Sequence, residues 1–229
     1  MDLIWDYPLQ KAKNHKNAII SKALKEKETL LREIHHRVKN NLQFISSLLG
    51  LQSDNIEDQV ALGALQEGQD RVQSMALIHQ NLYQEENLTG VDMHDYFNKL
   101  IQGLFDSYNI HDDRIQLELN IEDINLDVDT VIPMGLIVNE LITNSLKYAF
   151  PEGHNGKITI QLKELDKALS LSISDDGVGI SEIEKHNLGD SFGYKLIHAF
   201  TLQLDAEMSI ERSAGTSVNF TIRNYQVAT

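Results

Sequence analysis

The chain has 229 residues, no cysteine and a formal net charge of −14. The lack of cysteine excludes a disulfide framework and a zinc–thiolate site, and the acidity argues against a protein that binds nucleic acid through its phosphates. The sequence has no apolar run of transmembrane length and no signal-peptide pattern, so we expect a soluble cytoplasmic protein or a soluble fragment of a larger one.

A long amphipathic helix over residues 19–52 is the first predicted element, and residues 1–20 are expected to form a connector that leads into it. Its apolar residues recur every seven positions, and a second register, interrupted by Lys27 and Asn41, runs beside the first. Two such registers form the a/d seam by which helices pack together. The seam consists of Leu24, Leu31, Val38 and Ile45, with Ile20, Ile34 and Leu48.

A second amphipathic helix is predicted over residues 61–82. Residues 53–58 indicate a turn between the two helices, with Asp54 and Asn55 as candidate helix caps. Two helices joined by a short loop form a hairpin, which we place at residues 21–88. Because a lone hairpin leaves one apolar face open, two copies are expected to pair into a four-helix bundle.

Residues 85–90 break the helical pattern and mark the boundary to a second predicted domain, residues 89–229. Helical and strand-like stretches there predict an α+β sandwich with one mixed, mostly antiparallel sheet covered by helices on one face. Pro133 is expected in the first turn of a helix, where its missing N–H group is tolerated. The predicted helices are 92–105, 130–150 and 191–204, and the predicted strands are 114–123, 157–165, 168–177 and a closing hairpin at 207–224.

The predicted helix 130–150 carries a polar face that suits phosphate and magnesium. Glu140 and Asn144 are four residues apart and share one side of the helix, which Lys147 and Tyr148 continue a turn later. Magnesium takes few protein oxygens and completes its shell with water and substrate phosphate, while a lysine can neutralise phosphate charge. An amphipathic surface helix without a ligand explains the same pattern.

Glycines mark three further stretches. "SDDGVGI", residues 174–180, ends a strand, and Gly177 and Gly179 let the backbone approach a flat ligand closely. A carboxylate just before them can accept a hydrogen bond from an exocyclic amine such as that of adenine. "NLGDSFGYKL", residues 187–196, opens a helix whose N–H groups could hold phosphate, and "AGT", residues 214–216, joins two strands. Ordinary turns explain each stretch taken singly.

In order and spacing, these features resemble the ATP-binding domain shared by histidine kinases, gyrase-type and Hsp90-type ATPases and MutL, over about residues 90–225. The resemblance implies that Asn144 binds magnesium. It places Glu140 where the ATPases keep a general base, and it matches Lys147 and Tyr148 to the N box of the histidine kinases.

The same resemblance assigns the glycine-rich stretches. Asp175, Gly177 and Gly179 match the D-x-G-x-G adenine box, in which the aspartate accepts from the adenine amine. Gly189 and Gly193 are what remains of a richer second glycine box. The residues expected to contact ATP are Asn144, Lys147, Tyr148, Asp175, Gly177, Gly179, Gly189, Gly193 and Thr216.

Two adjacent histidines lie in the first predicted helix. With Leu31 at heptad position a, His35 falls at e beside the seam, and His36 falls at f, the position farthest from it. An exposed imidazole near neutral pH can act as a nucleophile, and Arg37 and Lys39 could steady incoming phosphate charge. Exposed histidines beside arginine are common and usually idle, so the pair alone leaves both readings open.

The surrounding sequence, "LLREIHHRVKNNLQFISSLL", resembles the phosphoacceptor box of a histidine-kinase subclass related to the HWE kinases, in which R-x-K-N follows the acceptor. The resemblance implies that His36 is the acceptor. HWE kinases carry a histidine in the N box and a W-x-E motif near the adenine box. This chain has Tyr148 in the N box, and its single tryptophan is Trp5, which favours the sister group.

The combined resemblance implies a sensor histidine kinase core with catalytic roles for His36, Glu140 and Lys147. It further implies ATP as substrate, Mg²⁺ held by Asn144, a homodimer, and transfer of phosphate to an aspartate in a response-regulator receiver domain. Two alternatives remain at this point. One is an ATP-binding module without transfer activity, and the other is a serine/threonine kinase of the anti-sigma type, which shares the ATP domain.

Overall fold

A computed structural model describes residues 6–54, 56–83, 90–108, 114–151, 154–179, 191–211 and 215–227. The helices are α1 (Asp6–Ser53), α2 (Gln59–Tyr83), α3 (Met93–Ser107), α4 (Val128–Asn144) and α5 (Phe192–Gln203), with a π-helical turn, Ser145–Ala149, that continues α4. The strands are β1 (Val91–Asp92), β2 (Ile115–Ile121), β3 (Asn125–Leu126), β4 (Gly156–Leu165), β5 (Ala168–Asp175), β6 (Ala206–Glu211) and β7 (Thr216–Ile222).

The two predicted long helices are present as α1 and α2. Helix α1 begins at Asp6, so most of the expected connector is helical as well. Helix α2 is capped by Asp58, whose Oδ1 accepts the N–H groups of the second and third helical residues at 2.9 Å each. The expectation of Asp54 as the cap is therefore wrong, because only Asp58 directly precedes the first residue of α2. Asn55 lies outside the described residues.

The face of α1 that packs on α2 is offset from the predicted seam. Helix α2 has 25 residues against 48 in α1, so it covers only part of the longer helix. The half-buried residues in the second half of α1 include Val38, Leu42, Ser46, Leu49 and Ser53. Five other seam residues remain between 43% and 54% exposed, and the side chain of Leu31 is not described; the five are Ile20, Leu24, Ile34, Ile45 and Leu48.

The rest of the chain forms the predicted α+β layer, and the fold class is confirmed. Within the described residues, a sheet runs in the order β2-β4-β5-β7-β6, with β2 and β4 parallel and the other neighbours antiparallel. Strand β5 shows why one face is covered. Leu169, Leu171 and Ile173 are buried in the core, whereas the serines between them are half-buried on the other face. The short strands β1 and β3 pair antiparallel and were too brief to predict.

Helix α4 lies at the centre of the layer. Every residue from Pro133 to Glu140 is buried, and the helix contacts α2, α3, α5 and β5. Asp127 caps the helix by accepting the N–H of Thr130 at 3.1 Å, so α4 begins at Val128. The helix thus starts two residues earlier than predicted, which puts Pro133 beyond the first turn.

Helix α2 belongs in part to the core of the α/β layer. Ala76 is 6% exposed. Ile78 is fully buried in one apolar cluster with Met93 and Phe97 of α3. The hairpin is therefore docked on the layer in this structure. Residues 84–89, which hold most of the predicted boundary, lie outside the described part of the chain. No helix in the described part combines the length and apolar character needed to cross a membrane.

Candidate functional site

A cavity of about 1030 Å³ lies between α2, the end of α4, the end of β5 and the start of α5. A pocket of this size accommodates a ligand as large as a nucleotide. Ile173 and Val218 of the sheet give it an apolar wall. Of the residues predicted from the sequence, it is lined by Glu140, Asn144, Lys147, Tyr148, Asp175, Gly179, Gly193 and Thr216. Gly177 is not in the wall, and Gly189 lies outside the described residues.

The carboxylate of Asp175 is the polar group at the sheet side of the cavity. Its Oδ2 accepts from Ser145 Oγ at 2.8 Å, and its Oδ1 accepts the N–H groups of Gly177 and Thr216 at 3.2 Å each. An ionised carboxylate offers about four acceptor sites, so roughly one remains for a further donor. The π-helical turn brings Ser145 to this carboxylate, a contact that the sequence reasoning missed.

Two glycines allow close backbone packing behind Asp175. A Cβ at Gly177 would overlap the carbonyl oxygen of Ala149, which accepts the N–H of Val178 at 3.0 Å. Gly215 has a φ of +89°, and a Cβ there would overlap the carbonyl oxygen of Asp175. Gly177 therefore has a packing role in this structure. Gly215 was not among the predicted site residues, although the "AGT" turn contains it.

The carboxylate of Glu140 is bound by an arginine of the hairpin. Glu140 is 3% exposed, and Arg71 of α2 donates to it twice, from Nη2 to Oε1 at 2.8 Å and from Nε to Oε2 at 3.0 Å. These hydrogen bonds hold the pKa of the Arg71 guanidinium above its usual value. A third nitrogen, Nη1, lies 3.4 Å from Glu67 Oε2. Sequence reasoning missed Arg71.

The start of α5 packs directly on this ion pair. A Cβ at Gly193 would overlap Glu140 Oε1 and would lie 3.3 Å from Arg71 Nη2, so any larger residue there would require the ion pair to shift. Ser191 caps the helix by accepting the N–H of Tyr194 at 3.2 Å. The first residues of α5, Phe192, Gly193 and Tyr194, line the cavity.

Lys147 reaches across the cavity towards the hairpin. Its Nζ lies 3.8 Å from Asp70 Oδ2 on α2 and 5.8 Å from the centre of the Tyr108 ring. Tyr148, the next residue, is 61% exposed at the cavity rim. Among the described residues, no group of three or more His, Asp and Glu side chains is arranged to hold a metal. Asn144 offers the cavity an amide oxygen, of the hard type that Mg²⁺ accepts.

His36 is exposed on α1, as the heptad assignment predicted, and the side chain of His35 is not described. Arg37 pairs with Glu33 at 2.8 Å one turn earlier on the same helix. His36 is not in the cavity wall, so the structure does not bring it together with Asn144 and Glu140.

Two family models match the chain. One is described as histidine kinase and matches residues 33–108, which include His36, α2 and α3. The other is described as histidine kinase-, DNA gyrase B- and HSP90-like ATPase and matches residues 130–226, which supply most of the cavity wall. The two matches follow each other along the chain in the order that the sequence predicted.

Relatives of known type share both parts. The sensor histidine kinase PdtaS of Mycobacterium tuberculosis is 30% identical over 202 residues, which are 86% of this chain and 40% of that protein. The blue-light-activated histidine kinase 2 of Erythrobacter litoralis is 26% identical over 209 residues, 86% of this chain and 58% of that protein. The chain thus spans between two fifths and three fifths of the length of these two relatives.

A solved structure has the same fold. The histidine kinase domain of the EL346 blue-light activated histidine kinase of Erythrobacter litoralis superposes with a TM-score of 0.61 at 21% identity, covering 80% of this chain and 96% of that one. The matched models, the relatives and the fold agree. The chain belongs to the histidine kinases, as an HWE-related core that joins a helical hairpin to a GHKL-type ATPase domain.

Proposed function

We propose that the chain is the catalytic core of a sensor histidine kinase, which transfers the γ-phosphoryl group of ATP to His36 and then to an aspartate of a response-regulator receiver domain. The observation that supports this most is the presence, in one chain, of a nucleotide-sized cavity lined by the expected side chains and an exposed His36 in the H-R-x-K-N motif. The histidine-kinase model over 33–108 also disfavours a serine/threonine kinase of the anti-sigma type.

In the proposed complex, adenine lies against the sheet side of the cavity. Asp175 accepts a hydrogen bond from the exocyclic amine with its remaining acceptor site, and Ile173 and Val218 contact the ring. Gly179 and Thr216 border the same region. Ser145 and the two N–H donors hold the carboxylate in one orientation, so little ordering is left for the ligand to impose.

The phosphates extend towards α4 and the start of α5. Asn144 would hold magnesium, which when bound neutralises charge on the phosphates. Gly193 and the first N–H groups of α5 would face the phosphate chain, with Gly189 in the segment before it. Lys147 would meet phosphate after turning away from Asp70, which is a weak partner at 3.8 Å.

In the proposed reaction, a ring nitrogen of His36 attacks the γ-phosphorus of ATP with its lone pair. An N–P bond forms as the bond to the bridging oxygen breaks, and ADP leaves. The positive charge that develops on the imidazole acidifies its other N–H group, and Glu140 would accept that proton or orient the ring. A receiver aspartate then attacks the phosphorus and releases His36. An imidazole of His36, from this chain or a second copy, must first reach the cavity, because His36 is not in the cavity wall.

A homodimer is part of the proposal. The five exposed aliphatic seam residues of α1 are covered by no described part of the chain. Each is worth roughly 1.5–3 kcal/mol when fully buried. Pairing of two hairpins into a four-helix bundle would bury them, while Lys27 and Asn41 in the seam would disfavour shifted registers, as polar core residues do in coiled coils.

The acceptor is tested by replacing His36 with Gln and incubating the chain with γ-labelled ATP. We expect no acid-labile, base-stable label on the variant, with nucleotide affinity unchanged, because the only removed group is the nucleophile. His15→Gln, at another exposed histidine of α1, should label like the parent chain. If the label is retained in His36→Gln but lost in His35→Gln, the acceptor is His35 and the assignment of His36 is wrong. If the parent chain binds ATP but carries no label, the result would favour the alternative function, an ATP-binding module without transfer activity.

The adenine contact is tested with Asp175→Asn. An amide replaces a charged acceptor, and hydrogen bonds to charged groups are worth roughly 1.5–3 kcal/mol, so ATP should bind about tenfold more weakly or worse. Inosine triphosphate, which lacks the exocyclic amine, should lose clearly less, and Asp129→Asn, at an exposed aspartate of α4, should change neither. Equal losses for the two nucleotides would mean that Asp175 only supports the local backbone.

The dimer is tested by analytical ultracentrifugation at micromolar concentration. We expect twice the 26.0 kDa mass of one chain, falling towards one chain on dilution. Ile34→Lys should shift the equilibrium to the monomer, because Ile34 is a 52% exposed seam residue, whereas Leu202→Lys, at a 68% exposed position of α5, should not. A mass of one chain at every concentration would contradict the dimer.

A further inference from the structure

Arg71 is the side chain by which the hairpin enters the cavity of the ATPase domain. It lies on α2, 69 residues before Glu140 in the sequence, and its side chain is 19% exposed against 4% for that of Glu140. The guanidinium and the carboxylate meet as a fork at 2.8 and 3.0 Å. This geometry is the strong, directional form of an arginine–carboxylate contact.

Three elements close around the pair. The guanidinium carbon of Arg71 lies 5.0 Å from the centre of the Phe192 ring at the start of α5, and Gly193 leaves just enough room for the carboxylate. The other charged groups along the contact are Glu67 and Asp70 of α2 and Lys147 after α4. The pair thus joins the hairpin, the N box and the second glycine box at one point.

The burial of Glu140 makes a partner necessary. The ionised form of a carboxyl group is strongly disfavoured out of water when no opposite charge is near. A buried carboxyl group without such a partner therefore keeps its proton. A protonated Glu140 cannot accept the proton of an imidazole. Arg71 uses two of about four acceptor sites on the carboxylate, so the remaining sites can still receive an imidazole N–H group.

We propose that Arg71 is a positioning residue for phosphoryl transfer: it keeps Glu140 ionised and fixes the direction of its carboxylate. Glu140 can then accept the imidazole proton only while α2 is docked on α4. This inference rests on the proposed function, in which Glu140 serves the imidazole of His36. It extends the proposed site to helix α2 of the hairpin.

The test compares rates of phosphohistidine formation in the full chain and three variants over a series of pH values. Arg71→Gln removes the charge, and its rate at neutral pH should fall at least about tenfold with unchanged nucleotide affinity. Its rate should rise with pH, because a buried carboxylate without a counter-charge ionises only at higher pH. Arg71→Lys should recover part of the rate, since it keeps the charge and loses the fork.

Arg223→Gln is the matched control, because Arg223 pairs with Glu207 at 2.9 Å on the exposed side of the sheet; its rate and pH profile should equal those of the parent chain. A rate in Arg71→Gln equal to or above the parent rate would overturn the proposal. So would a lower rate with the parent pH profile, which would indicate a structural role alone.

Infrared spectroscopy with ¹³C-labelled glutamate gives a readout that does not depend on transfer. A protonated carboxyl band should appear at neutral pH in Arg71→Gln and be absent from the parent chain and from Arg71→Gln/Glu140→Gln. If the parent chain forms no phosphohistidine, the proposed function fails, and this band still decides whether Arg71 keeps Glu140 charged. Absence of the band in Arg71→Gln would overturn the inference.

Discussion

The contact between Arg71 and Glu140 determines how the two halves of the chain are arranged. A buried ion pair is by itself weak evidence for stability, because removal of both charges from water offsets most of their attraction. The apolar contact beside it provides the stabilisation: Ile78 is fully buried and Ala76 nearly so, and burial of a side chain like that of isoleucine is worth roughly 1.5–3 kcal/mol. The ion pair instead sets the position of α2 on α4, since a displaced helix would leave a carboxylate buried alone.

The positions of the residues that line the cavity depend on the contacts made by α4. One end of α4 presents Glu140 to the hairpin, and the π-helical turn that follows presents Ser145 to Asp175 on the sheet. Shifts in either contact would move Asn144, which lies between them in the sequence and on the cavity wall. The adenine side and the phosphate side of the proposed nucleotide site are therefore positioned by one helix whose middle residues are buried on all sides.

The parts of this arrangement that follow local periodicity could be predicted from the sequence. The i,i+4 spacing put Glu140 and Asn144 on one face, strand alternation indicated the covered sheet, and the heptad put His36 on the exposed side. The parts that depend on contacts distant in sequence could not. Nothing near Arg71 or Ser145 indicates a partner 69 or 30 residues away, and both carboxylates had been interpreted from their own segments alone.

Contacts between residues distant in sequence also explain why the helix cap of α2 and the packing face of α1 were not predicted correctly. Asp54 and Asp58 are both acceptable caps by residue type, and the choice depends on where packing on α1 lets α2 begin. The seam of α1 was correctly identified as apolar, but its division between α2 and an open face depends on the length of α2. Gly193 suits a phosphate-binding helix start, and the structure adds a steric reason, since Glu140 and Arg71 occupy the space of a side chain.

The docking of the hairpin on the ATPase domain is the central claim, and a distance measurement tests it most directly. The chain has no cysteine, so cysteines introduced at the exposed positions Gln66 of α2 and Lys163 of β4 would carry spin labels at those two sites alone. The labelled chain, diluted with unlabelled chain, is examined by pulsed electron paramagnetic resonance. A docked hairpin predicts one narrow distance distribution that broadens when Arg71 is replaced by Gln. A broad distribution in the parent chain would contradict the account, because the two halves would then move independently.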